Sequence, residues 1–101
     1  MATFRDVDPG DLRLPPGRQD GAVPSRYHRQ VHAYGSNSTG MIPIEVTEGR
    51  DGEMMINNGV TRATRIHYLA PGKLVSVEIT EVKPNANFAR LLRVRDVPPP
   101  P

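Results

Sequence analysis

Apolar and polar positions alternate most regularly over residues 73–82. There Val75, Val77 and Ile79 fall on one side and Ser76, Glu78 and Thr80 on the other, the pattern of a half-buried strand. Residues 41–46 alternate Ile42, Ile44 and Val46 around Pro43, which predicts a strand with an edge character. Residues 48–52 then contain Asp51-Gly52, the turn chemistry of a hairpin, and residues 53–57 return as its second strand. Asn58-Gly59 closes that strand. A helix follows from Val60 to Leu69, with Ala63, Ile66 and Ala70 as its buried stripe, Leu69 beside it, and Ala70-Pro71-Gly72 as its end.

The flanks are less regular. Residues 1–24 hold four prolines and no hydrophobic period, so they read as an extended, irregular arm in which Leu12 and Leu14 alternate like a short edge strand. Ser25 suits the N-cap of a helix over residues 26–34, where Tyr27, Val31 and Tyr34 share one face and Gly35 ends the run. After Pro84, Asn85 is expected to cap a short helix through Phe88 to Leu91 and Leu92. The chain closes on Val97 and four prolines, a polyproline II tail. The expected architecture is an α+β domain, a small mixed sheet with two or three short helices. The chain divides into an arm (1–24), the domain proper (25–96) and the tail (97–101). Residues 54–79 read as strand–helix–strand, a unit that collects ligands at the carboxyl ends of its strands, where Gly59 stands.

Composition narrows this picture in three ways. At 101 residues, with 37% apolar and 5% aromatic residues and no Trp, the core is aliphatic and thin, which leaves a homodimer open. No run approaches the ~20 apolar residues of a membrane span, and the first residues are charged where a secretory leader is apolar. A cytoplasmic protein without a membrane partner is the expectation. With no Cys, disulfides, thiolate catalysis and thiolate metal sites are excluded. The net charge of +2 is too weak for bulk attraction to nucleic acid, so such a partner needs a local basic patch. Arginines gather at Arg26/Arg29, Arg62/Arg65 and Arg90/Arg93/Arg95, and if the last three lie on a strand, Arg93 and Arg95 form a basic stripe.

The junction after the hairpin carries the most chemistry. A strand ending in Asn58-Gly59 and opening a helix gathers free backbone N–H groups, the positive end of the helix dipole and the cation of Arg62 in one place, which suits phosphate. The phosphate-binding set is Asn58, Gly59, Val60, Thr61, Arg62 and Arg65, with Arg62 and Arg65 at i and i+3 as a clamp. Two solvated arginines, one paired with Glu45 or Glu78, are the plainer alternative, as is Thr61 in the role of N-cap. Thr61 and Thr64 also offer hydroxyls. His28 and His32 have the i, i+4 spacing of a shared metal, but Arg29 between them repels a cation and no third ligand is evident, so no metal site is expected. His67 lies on a helix flank. The aromatic residues are too scattered for a base-stacking platform.

The run Ile42-Pro43-Ile44-Glu45-Val46, a Gly-containing turn, Met55-Ile56-Asn57-Asn58-Gly59-Val60-Thr61-Arg62, a helix, and Val75-Ser76-Val77-Glu78-Ile79 resembles the ParB/sulfiredoxin-like superfamily. The likeness spans residues 12–82 in element order and about ten residues in detail. It implies a nucleotide or nucleic-acid phosphate held at the helix start, with Gly59 as the glycine and Arg62 as the gripping arginine. It also implies a nucleotide with Mg²⁺ as the cofactor, should phosphoryl or phosphodiester chemistry occur, and Glu45, Glu53 or Glu78 as metal carboxylates. The chain departs from the family at three positions. Asn58 replaces an Asp of many members, Val60 stands where sulfiredoxins have Cys, and Val60-Thr61-Arg62 keeps only the last Arg of the partition proteins' Glu-Arg-Arg. Partition proteins also carry a helix-turn-helix reader, for which 101 residues leave no room. A non-catalytic interaction module that retains the fold is the alternative. The two differ in their pockets: an enzyme gathers carboxylates around Arg62, whereas a binding module leaves the pocket basic.

Overall fold

In the computed structural model, which describes residues 2–101, β2 (Ile44–Gly49) and β3 (Met54–Asn58) form the hairpin. Its turn closes through Gly52 N–H to the Gly49 carbonyl, with Gly52 at φ 78°, a conformation that favours glycine. A bulge between Glu45 and Val46 places Glu45 opposite Asn58. Labelling from the amino end, β1 (Thr3–Val7) and β4 (Val75–Lys83) complete a four-stranded sheet in the order β1-β4-β2-β3. β4 runs parallel to β2, with Ile44 beside Val77, while the other two pairings are antiparallel. This is a small α+β domain with a mixed sheet, as expected.

Of the two helices, α2 (Val60–Leu69) packs over the apolar side of the sheet and α1 (Pro24–Tyr34) packs against α2, adding Tyr27 to the same core. Ile44, Val46, Ile56 and Val77 have no exposed surface, and Ala63 and Ile66 of α2 are equally enclosed. Each of the isoleucine and valine side chains contributes about 1.5–3 kcal/mol by leaving water, and the smaller Ala63 contributes less. Ile42 lies outside the strand and is 70% exposed, because β2 starts only after Pro43. Pro24 occupies the first helical position of α1 and Val23 the cap. Ser25 is therefore inside the helix, and the preset φ of proline supplies the start that Ser25 was expected to cap.

The connection from β3 through α2 to β4 differs from the expected strand–helix–strand unit. β4 docks beside β2 and runs opposite to β3, since the hairpin already gives β3 an antiparallel neighbour. The carboxyl end of β3 therefore lies with the amino ends of β2 and β4, and the carboxyl-end rule for parallel units does not apply to the site.

The first 24 residues are more integrated than their composition suggests. Thr3–Val7 pairs along β4, from Thr3 beside Ile79 to Val7 beside Val75. Arg13 joins the free edge of β3: its N–H donates to the Met54 carbonyl and its own carbonyl accepts from Ile56. On its other side, Leu14 N–H donates to the Leu92 carbonyl and Val94 N–H to the Leu12 carbonyl. Leu12 and Leu14 are buried by this double pairing. β1 is overlooked in the sequence because four of its five side chains are exposed; the β4 ladder forms it, not hydrophobic alternation.

Residues 85–92 form turns instead of the expected short helix. Asp51 in the hairpin turn accepts the N–H groups of Phe88 and Ala89, and Arg50 N–H donates to the Ala86 carbonyl, so the main chain is satisfied from outside the segment. Arg93 and Arg95 do not form a stripe on a strand. They flank Val94 in a 3-10 turn (Val94–Asp96) and pair with Asp96 and Asp11 respectively. At the tail, the Tyr68 hydroxyl donates to the Val97 carbonyl, and Val97 packs on the core.

Burial pushes the Asp51 carboxyl up, but main-chain donors from Glu53, Ala89, Phe88 and its own residue outweigh this and hold it below the ordinary aspartate value. A carboxyl depressed on folding stabilises above its unfolded pKa, about 3.9, and loses that contribution as pH falls through the folded value. Urea unfolding of the wild type should therefore show a loss of stability as pH drops below about 4 that is smaller in Asp51→Asn. Equal slopes for the two proteins would show that Asp51 does not lock residues 88–89.

Candidate functional site

The site begins where β3 ends. Asn58 is the last strand residue, and Gly59 turns the chain at φ 116° and ψ 23° to become the N-cap of α2. Ala63 N–H donates to the Gly59 carbonyl, and no side chain caps the helix. The N–H groups of Val60, Thr61 and Arg62 occupy the first turn, where a helix has no internal acceptor for them and its dipole is positive. Gly59 is required twice. Its positive φ disfavours any side chain, and a Cβ there would stand 2.8 Å from Arg62 Nη2 and 3.1 Å from Ile44 Cγ1.

Arg62 lies across this glycine. Its Nη2 donates to the Pro43 carbonyl at 3.3 Å and, at the limit of a hydrogen bond, to the Asn58 carbonyl at 3.5 Å. Its Nε is buried without a partner among the described residues. Burial lowers the guanidinium pKa and Glu45 opposes that shift, so the group remains a cation whose donors are incompletely used. Glu45 in turn accepts from the Asn58 side-chain amide. Thr61 is buried but is not the N-cap, a place Gly59 takes. The Thr64 hydroxyl is committed to the Val60 carbonyl within the helix, which removes it from the site.

These groups border a cavity of about 230 Å³, whose wall includes Asn58, Gly59, Val60, Thr61 and Arg62. Two further arginines complete it. Arg18 comes from a 3-10 turn (Pro16–Arg18) and Arg26 from the first turn of α1. Neither was assigned to the junction from the sequence. The basic pair Arg26/Arg29 was the available signal, but only the docking of α1 beside α2 brings Arg26 across from Arg62. Among the described residues, no carboxylate lines the cavity.

Arg65 faces the other way. It is 2% exposed, and its Nη1 donates to the carbonyls of Gly35 and Asn37, both at 2.8 Å. Its Nε reaches Gln30 Oε1, its Nη2 lies 3.4 Å from the Met41 sulfur, and its carbon centre sits 5.3 Å from the centre of the Tyr34 ring. Burial lowers its pKa first, Tyr34 opposes and Arg62 adds to the lowering. The structure thus gives the i, i+3 pair different places: Arg62 borders both the cavity at the junction and a neighbouring one of about 310 Å³, whereas Arg65 borders only the second.

Of the carboxylates considered for a metal, Glu53 is bound by Arg13, while Glu45 and Glu78 stand opposite each other on the β2–β4 ladder. Among the described residues no group of three or more metal-ligating side chains comes together, and this donor set does not fit a divalent cation at Arg62. His28 and His32 are both exposed on α1. His67 packs its ring on Gly10, with Nδ1 4.0 Å from Asp8. No helix among the described residues is long and apolar enough to cross a membrane.

No family model, curated protein or solved structure matches this chain.

Gly59→Ala should lower stability by about 2 kcal/mol in urea unfolding, through left-handed strain and displacement of Arg62. Arg65→Met keeps the apolar stem but leaves the Gly35 and Asn37 carbonyls without their donor, and should cost about 3 kcal/mol. A midpoint unchanged in either variant would show that its contacts do not support the fold as described.

Proposed function

We propose that this chain is a small ParB-like domain that binds a phosphate-bearing ligand, nucleotide or nucleic acid, at the β3–Gly59–α2 junction without catalysing a reaction there. One observation carries the reading: Arg18, Arg26 and Arg62 converge with the open first turn of α2 on one cavity lined by no carboxylate among the described residues. An anion placed there meets main-chain N–H donors, the helix dipole and three guanidinium groups. The lining offers guanidinium, amide, hydroxyl and main-chain groups. Such groups grip an anion, whereas phosphoryl transfer also needs a positioned base or a carboxylate-held metal.

Element order supports the ParB-like part of the reading. A strand–hairpin–glycine–helix run with arginine three residues after the glycine, followed by a further strand, is the arrangement on which the resemblance rests. A cytoplasmic location suits a ligand of this kind.

Amide NMR titration with inorganic phosphate, CTP, ATP with Mg²⁺ and a short single-stranded DNA tests the proposal. Shifts should concentrate at residues 58–62, and Arg62→Ala should weaken the effective ligand at least about ten-fold while the spectrum stays folded. No shift at these amides with any of the four would refute the phosphate site. Turnover of a nucleotide or an oligonucleotide would refute the absence of catalysis.

A further inference from the structure

The phosphate cavity is one of three concavities that meet at Gln30. The second, about 310 Å³, is bordered by Tyr34, Met41 and Ile42, and the third, about 420 Å³, by Arg29, Ala33 and Tyr34. Gln30 lines all three, Arg26 the first and third, and Tyr34 the second and third. Arg26, Gln30 and Tyr34 are spaced i, i+4, i+8 on α1, a ridge of about 12 Å along which the concavities are arranged.

Charge along this ridge has one sign. Arg18, Arg26, Arg29 and Arg62 make no ion pair among the described residues, as is also true of Arg50, Arg65 and Arg90, whereas Arg5, Arg13, Arg93 and Arg95 are paired with carboxylates elsewhere. No Asp or Glu lines any of the three concavities among the described residues. Tyr34, at the far end, is 60% exposed, and the buried guanidinium of Arg65 beneath it holds the ring in place. An aromatic face backed by a fixed cation is a stacking platform that any nucleobase can use.

We propose that single-stranded nucleic acid is the ligand of this surface, its backbone following Arg62, Arg18, Arg26 and Arg29 and a base stacking on Tyr34. The proposal rests on the phosphate reading of the junction and extends it over α1. Four unpaired arginines call for a chain of phosphates instead of one, and the exposed ring calls for an unpaired base, which a duplex does not present. The overall charge of +2 does not oppose this, because the arginines are gathered locally and no carboxylate lines the three concavities among the described residues.

The test is fluorescence anisotropy of the full chain with a short labelled single-stranded oligonucleotide over a range of salt. Mononucleotide, a base-free abasic phosphodiester oligomer and oligoglutamate serve as competitors. The oligonucleotide should bind more tightly than the mononucleotide, with a log–log salt slope near about −3, from about 0.7 per neutralised phosphate. Arg26→Ala/Arg29→Ala should remove about half of that slope. Tyr34→Ala should weaken binding about ten-fold and Tyr34→Phe should restore it, which separates stacking from a folding defect. An unchanged slope in the double variant, an oligonucleotide no tighter than the mononucleotide, or equal competition by the abasic oligomer or oligoglutamate would each overturn the proposal. Phosphate-induced shifts at residues 58–62 alongside any of these outcomes would leave the junction reading standing. Loss of both signals would overturn the two together.

Discussion

The guanidinium of Arg65 organises the functional half of the molecule. It leaves α2, passes under Tyr34 and donates to two carbonyls of the segment between α1 and β2. Helix carboxyl ends expose unpaired carbonyls, and a buried cation is an effective partner for them because both the charge and the acceptors would otherwise be desolvated without compensation. A side chain on one helix thereby ties down the exit of the other. Without this tie, α1 would meet α2 only through a thin aliphatic contact, and the position of Arg26 and Gln30 relative to Arg62 would be loosely determined. The phosphate cavity depends on that position, since its far wall is α1.

A second constraint acts at Gly59. The chain must leave β3 and start a helix within one residue while Arg62 lies over the turn, and a residue without a Cβ at positive φ makes room for both. The same geometry that permits the turn leaves the first-turn N–H groups of α2 uncapped, so fold and site share one cause. Adjacent arginines at i and i+3 then take opposite roles. One is consumed by main-chain carbonyls and supports the architecture; the other retains unused donors at a cavity. Partner supply separates them, since only the Arg65 side faces the open carbonyls at the end of α1.

The remainder of the chain works as edging. β1 covers β4, residues 12–14 cover β3, and the segment around Arg93 covers residues 12–14, which leaves few unpaired main-chain groups on that side of the sheet. Asp11, Glu53 and Asp51 are engaged in holding these edges, the first two through Arg95 and Arg13 and the third through main-chain N–H groups. The unpaired arginines of α1 and its neighbours line concavities without a carboxylate among the described residues, on which the proposed binding depends.

Local chemistry in the sequence determined β3, α2 and β4 to within a residue or two and the presence of the hairpin, whose first strand lies three residues later than the alternation predicts. Alternation, Asp51-Gly52, Asn58-Gly59 and the Ala63/Ile66 stripe are short-range signals that act before any tertiary contact forms. It also determined the junction and its glycine, because a strand–glycine–helix–arginine run declares its donors within a few residues. Tertiary structure alone decided β1, whose exposed side chains carry no period and which exists by pairing with β4. It likewise decided the turns of residues 85–92, which take their hydrogen bonds from Asp51 and Arg50. It decided the contrast between Arg62 and Arg65, and it recruited Arg18 and Arg26 to the cavity. In each of these cases the partner lies many residues away, and the spacing of residue types along a chain carries no record of which distant carbonyl or carboxylate will be within reach.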